Sequence, residues 1–417
     1  MQDLKTLSTI LHLLQWHNQT ENGSDALDEL ELELSSNYNG QISNFCEDNP
    51  DHPIAHHYAD VNIADTELID EMDMVAQRLN NKYLSMRKDK AEPDDEYFNL
   101  FDQMVEVTKR FMSVVGYTHP IQLTDKNIAD PSVVTELVRN LSDISIKFIN
   151  EKPQNSLVSK RQYTMDDVHS VLTDDTISYK VSNKNGSFMM PLDAESSNIH
   201  IKDTGNINDM MRSACHEFGH AQYQSKILAN NTDIGKIGGM ISLSLHESSS
   251  ILHEINLSEM SPEVTEDYDN VFRLMSDKIH YIIHIQIRME IEEMLFNNEI
   301  TARDIPDVWN SKVEEYIGIV PKNNWDGFLQ DIHWNNGAFG YFHSYAIGFF
   351  NALVMSETMV QNGVDTSNPD NLLKEIENTY GEYNEFTKNI LERMYPDLGS
   401  AIEKYEEQLF KRFTYVG

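Results

Sequence analysis

Residues 215–220 read CHEFGH, in which two histidines, His216 and His220, stand four positions apart. In an α-helix this spacing places both imidazoles on one face, where they can bind the same metal ion. Glu217, beside the first histidine, could then take a proton from a water molecule that the metal activates. The motif predicts a helix that carries a metal-dependent hydrolytic site.

A catalytic zinc site needs three protein ligands and one open position, so a third ligand must come from elsewhere in the chain. The stretch SLSLHESSSILHE at 242–254 supplies Glu247 on a second helical segment, after the glycine-containing connection IGKIGGM. A carboxylate from this segment would complete a site of two histidines and one glutamate. Glu254, further along the same segment, is the alternative third ligand.

The composition excludes some classes of partner. The 417 residues include 68 acidic and 32 basic side chains, which give a net charge of −36. This charge repels phosphate backbones and anionic lipid surfaces, so neither nucleic acid nor a membrane is an expected partner. Two cysteines, Cys46 and Cys215, are too few for a disulfide framework and favour a reducing compartment. The start of the chain, MQDLKTLSTILHLLQW, does not resemble a signal peptide.

Most of the sequence has helical periodicity, as in the apolar residues Leu4, Leu7, Leu11 and Leu14. The exception is 176–202, where TISYKVS and SNIHIK alternate on either side of the turn signal NKNG. The sequence therefore predicts a mainly α protein with a small antiparallel β-sheet just before the metal-binding helix. We expect one helical domain over 1–417, with an N-terminal part at 1–150 and a metal-binding part at 151–417.

A second dense stretch, GFLQDIHWNNGAFGYFHSYAIGFF at 327–350, is rich in aromatic residues and glycine. Its composition indicates tight packing, but His333, Tyr341 and Tyr345 have polar tips that could face a cleft and stabilise an oxyanion or bind a carboxylate. His280 and His284 repeat the spacing of four, yet no glutamate follows His280 and the surrounding helix is apolar. We interpret this second pair as core histidines.

Five separated motifs resemble the carboxypeptidase Taq family of zinc metallocarboxypeptidases, in the same order and spacing. They are LLQWHNQT at 13–20, HEFGHAQY at 216–223, LSLHES at 243–248, FRLMSD at 272–277 and GFLQDIHWNNGAFGYFHSYAIG at 327–348. The last motif is far more specific than the His-Glu-x-x-His pattern alone. The resemblance implies a helical fold with a long active-site groove.

The family pattern also implies a role for single residues of this chain. The implied metal ligands are His216, His220 and Glu247, and the implied general base is Glu217. The implied further catalytic residues are His333 and Tyr345. The implied substrate-binding residues are Arg273 and Tyr341. Arg273 would bind the terminal carboxylate of a peptide, for which a guanidinium is well suited. The alternative is a helical ion pair with Asp277. Two family elements are replaced here by GSF at 186–188 and SNIHI at 197–201.

The activity implied by the resemblance is removal of single C-terminal residues from peptides with broad specificity. The implied cofactor is Zn²⁺, with Co²⁺ or Mn²⁺ as alternatives, and the implied state is a cytoplasmic homodimer. Two other functions are open on the sequence: an oligopeptidase or dipeptidyl carboxypeptidase on the same scaffold, and a non-catalytic helical binding protein that holds zinc.

Overall fold

The computed structural model describes residues 2–414 apart from 22–24, 60–63, 65, 127, 129, 152–162, 185, 259–277, 385–386 and 388. Helices dominate the described residues, which confirms the predicted fold class. None of the described helices is both long enough and apolar enough to cross a bilayer. The described α-helices are α1 Gln2–Thr20, α2 Asp25–Asp48, α3 Pro53–His57, α4 Thr66–Asp89, α5 Asp95–Val115, α6 Pro131–Glu151, α7 Met165–Val171, α8 Ile207–Gln222, α9 Ala229–Asn231, α10 Leu243–Leu257, α11 Lys278–Phe296, α12 Ile305–Ile317, α13 His343–Gln361, α14 Pro369–Tyr380, α15 Ile390–Met394 and α16 Leu398–Thr414.

The chain forms two compact units, each built from three separate segments. Unit 1 comprises Met1–Asn62, Val158–Ser261 and Ile347–Asp397, and unit 2 comprises Ile63–Leu157, Pro262–Ala346 and Leu398–Gly417. The predicted long groove and the predicted single domain stay predictions.

In unit 1, helices α8 and α10 lie unusually close together. A Cβ atom added at Gly219 of α8 would lie 2.7 Å from the Cα atom of Ser250 on α10, so only glycine allows this approach. Ser249 of α10 donates a hydrogen bond of 2.9 Å to the carbonyl oxygen of Gly219. The small residues of both helices therefore bring the His216–His220 face of α8 against α10.

Helix α10 is buried on all sides although it contains serine, histidine and glutamate side chains. Ser242 caps its N-terminus, because the hydroxyl group of this residue accepts a hydrogen bond from the backbone N–H of Leu245. A Cβ atom at Gly348 of α13 would lie 2.8 Å from the Cβ atom of Glu247, so a further helix passes closely over α10 at this point. A helix buried all round is expected to be apolar, and its polar residues therefore mark a site.

The sheet of unit 1 corrects part of the sequence prediction. Its strands are β1 Ile177–Ser182, β2 Phe188–Pro191 and β3 Ser197–Lys202, in the order β1-β3-β2. Strand β3 pairs antiparallel with β2 but parallel with β1, so the prediction that TISYKVS and SNIHIK form an antiparallel hairpin is wrong. A tight turn joins β2 to β3 instead. The backbone N–H of Leu192 donates a hydrogen bond of 2.9 Å to the carbonyl oxygen of Ser196 and closes this turn.

Strand β3 connects the sheet to helix α8. Ile199 and Ile201 of this strand are fully buried in one apolar cluster with Met210, Ala214 and Cys215 of α8. The burial of these side chains fixes one face of α8 against the sheet. The opposite face, with His216 and His220, is thereby left to contact α10.

Unit 2 has a buried cation in its core. The guanidinium carbon of Arg288 on α11 lies 4.5 Å from the ring centroid of Trp309 and 4.2 Å from that of Trp334. Its Nε donates to Nε2 of His284 at 2.9 Å, and Nη2 donates to the carbonyl oxygen of Phe328 at 3.1 Å. His280 and His284 are both buried, as expected for core histidines.

Candidate metal centre

Two neighbouring helices of unit 1 supply the candidate metal ligands. The ring centroids of His216 and His220 on α8 lie 4.8 Å apart. Glu247 of α10 faces both rings: its Oε2 lies 3.6 Å from Nε2 of His216, and its Oε1 lies 3.7 Å from Nε2 of His220. One ligand atom from each residue can be chosen so that all three lie within 4.8 Å of one another.

The chemistry of these residues fits a divalent metal ion. Two imidazole nitrogens and one carboxylate oxygen are donors typical of a catalytic zinc site. Among the described residues, His216, His220 and Glu247 are the sole cluster of three or more such side chains with this geometry. Three glutamates, Glu217, Glu247 and Glu254, are also buried here, with exposed fractions of 7%, 2% and 7%. A concentration of buried negative charge favours a bound cation.

The two candidate third ligands occupy different sides of His216. Oε2 of Glu254 lies 3.1 Å from Nδ1 of this histidine, whereas Glu247 lies near Nε2. A carboxylate that accepts the Nδ1 proton leaves Nε2 free to bind metal, as in many carboxylate–histidine–metal sites. The distances therefore favour Glu247 as the ligand and Glu254 as the group that orients His216.

The surrounding charges act strongly on His216. Burial alone lowers the pKa of this imidazole, but the hydrogen bond that it donates to Glu254 and the charges of Glu247 and Glu217 outweigh burial and raise the pKa. In the metal-free protein the site therefore attracts a proton in place of a metal ion. This agrees with a site built for positive charge.

Glu217 is held beside the ligands by α8 and by the sheet. Burial raises the pKa of its carboxyl group to about 7. The charge of His216 opposes this rise, and the charge of Glu247 adds to it. The backbone N–H of Met189 on β2 donates a hydrogen bond to the carboxylate. A carboxyl group with a pKa near 7 can both accept and release a proton under neutral conditions.

The site includes one histidine, His246, that was not predicted from the sequence. Nδ1 of His246 on α10 lies 2.5 Å from Nδ1 of His220, and the two ring centroids are 4.6 Å apart. Burial lowers the pKa of His246 to about 3, so the ring is neutral at pH 7. His246 directly precedes Glu247 in the sequence, and this position could have indicated that it lies near the ligands.

The predicted residues of the second motif lie together in unit 2. Nδ1 of His333 lies 2.6 Å from Oδ1 of Asp331, and the hydroxyl oxygen of Tyr345 lies 3.4 Å from Nε2 of His333. The ring of Tyr341 packs on that of His333 at a centroid distance of 4.6 Å. The structure thus brings these three predicted residues into one cluster.

Asp331 is the anion of this cluster, and its role was not predicted from the sequence. Burial opposes its ionisation, but the charge and hydrogen bond of His333 and the charge of Arg288 outweigh burial and hold the pKa of Asp331 well below its usual range. The carboxylate therefore fixes His333 with Nδ1 protonated, so that Nε2 faces Tyr345. Arg273 and its alternative partner Asp277 lie outside the described residues.

Part of the chain matches a family of known proteins. Residues 255–395 match the family model described as carboxypeptidase Taq (M32) metallopeptidase. The chain is 26% identical over 327 residues to Carboxypeptidase 1 of Bacillus subtilis, a match that covers 66% of this chain and 63% of that protein. It is 36% identical over 163 residues to Thermostable carboxypeptidase 1 of Pyrococcus furiosus, over 33% of this chain and 32% of that protein.

The fold agrees with these sequence matches. A solved structure of Pyrococcus furiosus carboxypeptidase superposes with a TM-score of 0.76 at 18% identity, and covers 98% of this chain and 97% of that chain. The sequence matches, by contrast, span less than two thirds of the length of the curated relatives. The chain is therefore similar to the carboxypeptidase Taq (M32) metallopeptidases over residues 255–395, and its fold is similar to that of the Pyrococcus furiosus carboxypeptidase over nearly its whole length.

Proposed function

We propose that this protein is a metallocarboxypeptidase that removes single C-terminal residues from peptides with broad specificity. The observation that carries the proposal is the placement of His216, His220 and Glu247 around one point, with the buried Glu217 next to them. The match of residues 255–395 to a carboxypeptidase family supports the reaction class.

We propose Zn²⁺ as the metal, held by His216, His220 and Glu247. The match to a metallopeptidase family supports a divalent ion, and the set of two nitrogens and one oxygen suits Zn²⁺, with Co²⁺ or Mn²⁺ as alternatives. When bound, such an ion supplies Lewis acidity that polarises a carbonyl group and promotes ionisation of water.

Glu217 is the proposed general base and acid. Its carboxylate would accept a proton from the attacking water and later donate that proton to the nitrogen of the departing amino acid. The pKa of about 7 that burial gives this carboxyl group suits both steps, since a group near the operating pH can take up and release a proton with little cost. Met189 holds the carboxylate in place through its backbone N–H.

We assign the substrate-contacting roles to His333, Tyr341 and Tyr345 of unit 2 and to Arg273 of the motif FRLMSD. His333 and Tyr345 would support the tetrahedral intermediate, Tyr345 through its hydroxyl group, and Tyr341 would contact the peptide. The hydrogen bond that Nδ1 of His333 donates to Asp331 supports this assignment, because it orients the ring in advance. Arg273 would pair with the terminal carboxylate of the substrate.

We also propose a cytoplasmic homodimer whose partners are peptides, with no nucleic acid or membrane partner. The net charge of −36 supports the exclusion of anionic surfaces. The small number of cysteines, Cys46 and Cys215, supports a reducing compartment.

A peptide-ladder assay tests this function. Purified protein is incubated with unblocked peptides, with and without a chelator, and the products are read by mass spectrometry. We expect successive losses of one C-terminal residue that stop in the presence of the chelator and return when Zn²⁺ is added. The Glu217→Gln variant, purified in parallel, controls for contaminating peptidases. Release of dipeptides, or unchanged cleavage with chelator, would overturn the proposal.

A further inference from the structure

We propose that Gln224 and His246 form a hydrogen-bonded relay that fixes the tautomer of His220, so that Nε2 of this histidine carries the lone pair for the metal. The relay is a positioning device, since neither Gln224 nor His246 is placed among the ligands. The inference rests on the proposed metal site. It concerns how one of the ligands is held ready for the ion.

The relay begins at the side-chain amide of Gln224. Nε2 of this residue lies 3.3 Å from the carbonyl oxygen of Gly235 and 3.4 Å from that of Gly239. Carbonyl oxygens only accept hydrogen bonds, so the NH₂ group must face them and Oε1 must face the other way. A Cβ atom at Gly235 would lie 2.3 Å from the carbonyl carbon of Leu228, so tight packing holds this acceptor in place.

Gln224 reaches this position from an irregular part of the chain. It lies in a π-helix, Tyr223–Leu228, that directly follows α8 and therefore the His216–His220 pair. Single π-helical turns are rare and often occur at functional sites, because they re-aim side chains relative to a regular helix. Gln224 is 1% exposed, so its amide must find its partners inside the protein.

The next step fixes the tautomer of His246. Oε1 of Gln224 lies 3.3 Å from Nε2 of His246, and an amide oxygen can only accept. His246 must therefore donate from Nε2. A neutral imidazole has one donor and one acceptor, so Nδ1 of His246 is left as an acceptor.

The last step fixes the tautomer of His220. Its Nδ1 lies 2.5 Å from Nδ1 of His246, and two nitrogens at this distance must share one proton. Since Nδ1 of His246 is the acceptor, Nδ1 of His220 is the donor. The lone pair of His220 then lies on Nε2, the nitrogen 3.7 Å from Oε1 of Glu247.

The two ligand histidines are thus oriented by different chemistry. His216 meets the carboxylate of Glu254 through Nδ1, whereas His220 meets the neutral ring of His246 through the same atom. The ring of Tyr223 packs edge-on against His246 at a centroid distance of 5.3 Å, which restricts rotation of the ring. The relay therefore adds no charge to a site that already holds three buried glutamates.

Metal affinity tests the relay. The Zn²⁺ dissociation constant is measured by competition with a chromophoric chelator for the parent protein and for His246→Phe, His246→Asn and His253→Phe. His246→Phe keeps a ring but removes the acceptor, so we expect about 10- to 100-fold weaker binding. In His246→Asn the amide oxygen takes the position of Nδ1, and we expect most of the affinity to return.

His253→Phe is the matched control, because His253 is a buried histidine on the same helix α10 that takes no part in the relay. We expect parental affinity for this variant. Parental affinity in a folded His246→Phe variant would overturn the relay. If His246→Phe does not fold, as judged by circular dichroism, weak binding by a folded His246→Asn variant would overturn it instead.

A spectroscopic measurement tests the relay without metal or activity. Two-bond ¹H–¹⁵N spectra of the metal-free protein distinguish histidine tautomers, and single His→Asn substitutions assign the signals. We expect His220 protonated at Nδ1 and His246 protonated at Nε2. The opposite pair of tautomers would overturn the relay even if the protein binds Zn²⁺. A parent protein that binds no Zn²⁺ would overturn the proposed metal site, and the spectra would still decide on the relay.

Discussion

Oε2 of Glu254 lies 3.1 Å from Nδ1 of His216, on the other side of the imidazole from Glu247. Both glutamates lie on α10, and the sequence leaves either one open as the third metal ligand. The structure assigns them different atoms of the same histidine. Removal of a metal ligand weakens metal binding by the protein more than removal of an orienting group does, so the two roles can be distinguished by measuring metal affinity.

Glu247→Ala should abolish stable binding of Zn²⁺, because a water molecule would have to replace a protein ligand. Glu254→Ala should weaken binding by only about 10- to 100-fold, the usual effect of removing an outer hydrogen-bond partner. Glu254→Gln is the matched control, since its amide oxygen can still accept the Nδ1 proton. Metal content after dialysis and chelator competition provide the measurements. The reverse ranking of the two alanine variants would exchange their roles.

Glu217→Gln should keep the fold and the bound metal but lower kcat by on the order of 10²–10⁴, the scale for loss of a positioned proton-transfer group. Gln preserves the size of the side chain and can accept the hydrogen bond from Met189. The measurement is steady-state hydrolysis of an unblocked peptide at equal metal content. Turnover close to that of the parent protein would show that another group moves the proton.

Glu292 of unit 2 should make stability depend on pH. Burial raises the pKa of its carboxyl group to about 7, although Trp334 and Gly340 donate hydrogen bonds to it and Arg288 lies near. The folded protein therefore retains this proton at pH values where the unfolded chain has lost it. The resulting stability is fully present below the ordinary pKa of a glutamate and is lost as the pH rises to about 7.

The measurement for Glu292 is the midpoint of urea unfolding of the parent protein and of Glu292→Gln at several pH values from 4.5 to 8. We expect the advantage of the parent over the variant to shrink as the pH rises through this range, because Gln does not titrate. Glu290→Gln is the control, since Glu290 lies on the same helix α11 and its carboxylate pairs with Lys312 at 2.6 Å. A difference between parent and Glu292→Gln that stays constant with pH would contradict the prediction.

The sequence predicts those parts of the site that depend on local geometry. A spacing of four residues places two side chains on one face of any α-helix, so the proximity of His216 and His220 needs no tertiary information. The mainly helical fold is confirmed, because helical periodicity extends along most of the sequence, and the similarity to the carboxypeptidase Taq (M32) metallopeptidases is found over residues 255–395.

Other parts depend on contacts that no local pattern encodes. The alternation in β1 and β3 indicates strands but not their direction, and the parallel pairing of Tyr179 with Ile199 follows from where β2 lies in the sheet. The contact between His246 and His220 depends on the approach of α10 to Gly219. A serine-rich helix with two histidines has no apolar period, so its complete burial was not predicted.

The last prediction concerns Arg273, because its role separates a carboxypeptidase from an endopeptidase. If the guanidinium binds the terminal carboxylate of the substrate, Arg273→Ala leaves that charge unpaired and should lower kcat/KM on free-acid peptides by on the order of 10²–10³. C-terminally amidated peptides lack the partner charge. They should be poor substrates of the parent protein and scarcely worse with the variant.

The experiment is a two-by-two comparison of parent and Arg273→Ala protein on matched free-acid and amidated peptides, which gives the coupling energy between the two charges directly. Arg273→Lys is the control, because it keeps the charge but not the two parallel hydrogen bonds of a guanidinium, and it should fall between the two proteins. If Arg273 instead forms an ion pair with Asp277, Arg273→Ala should lower the stability of the protein and should affect the cleavage of both peptides equally. If the parent cleaves amidated and free-acid peptides equally well, recognition of the C-terminus is absent and the protein acts as an oligopeptidase, even with its metal bound.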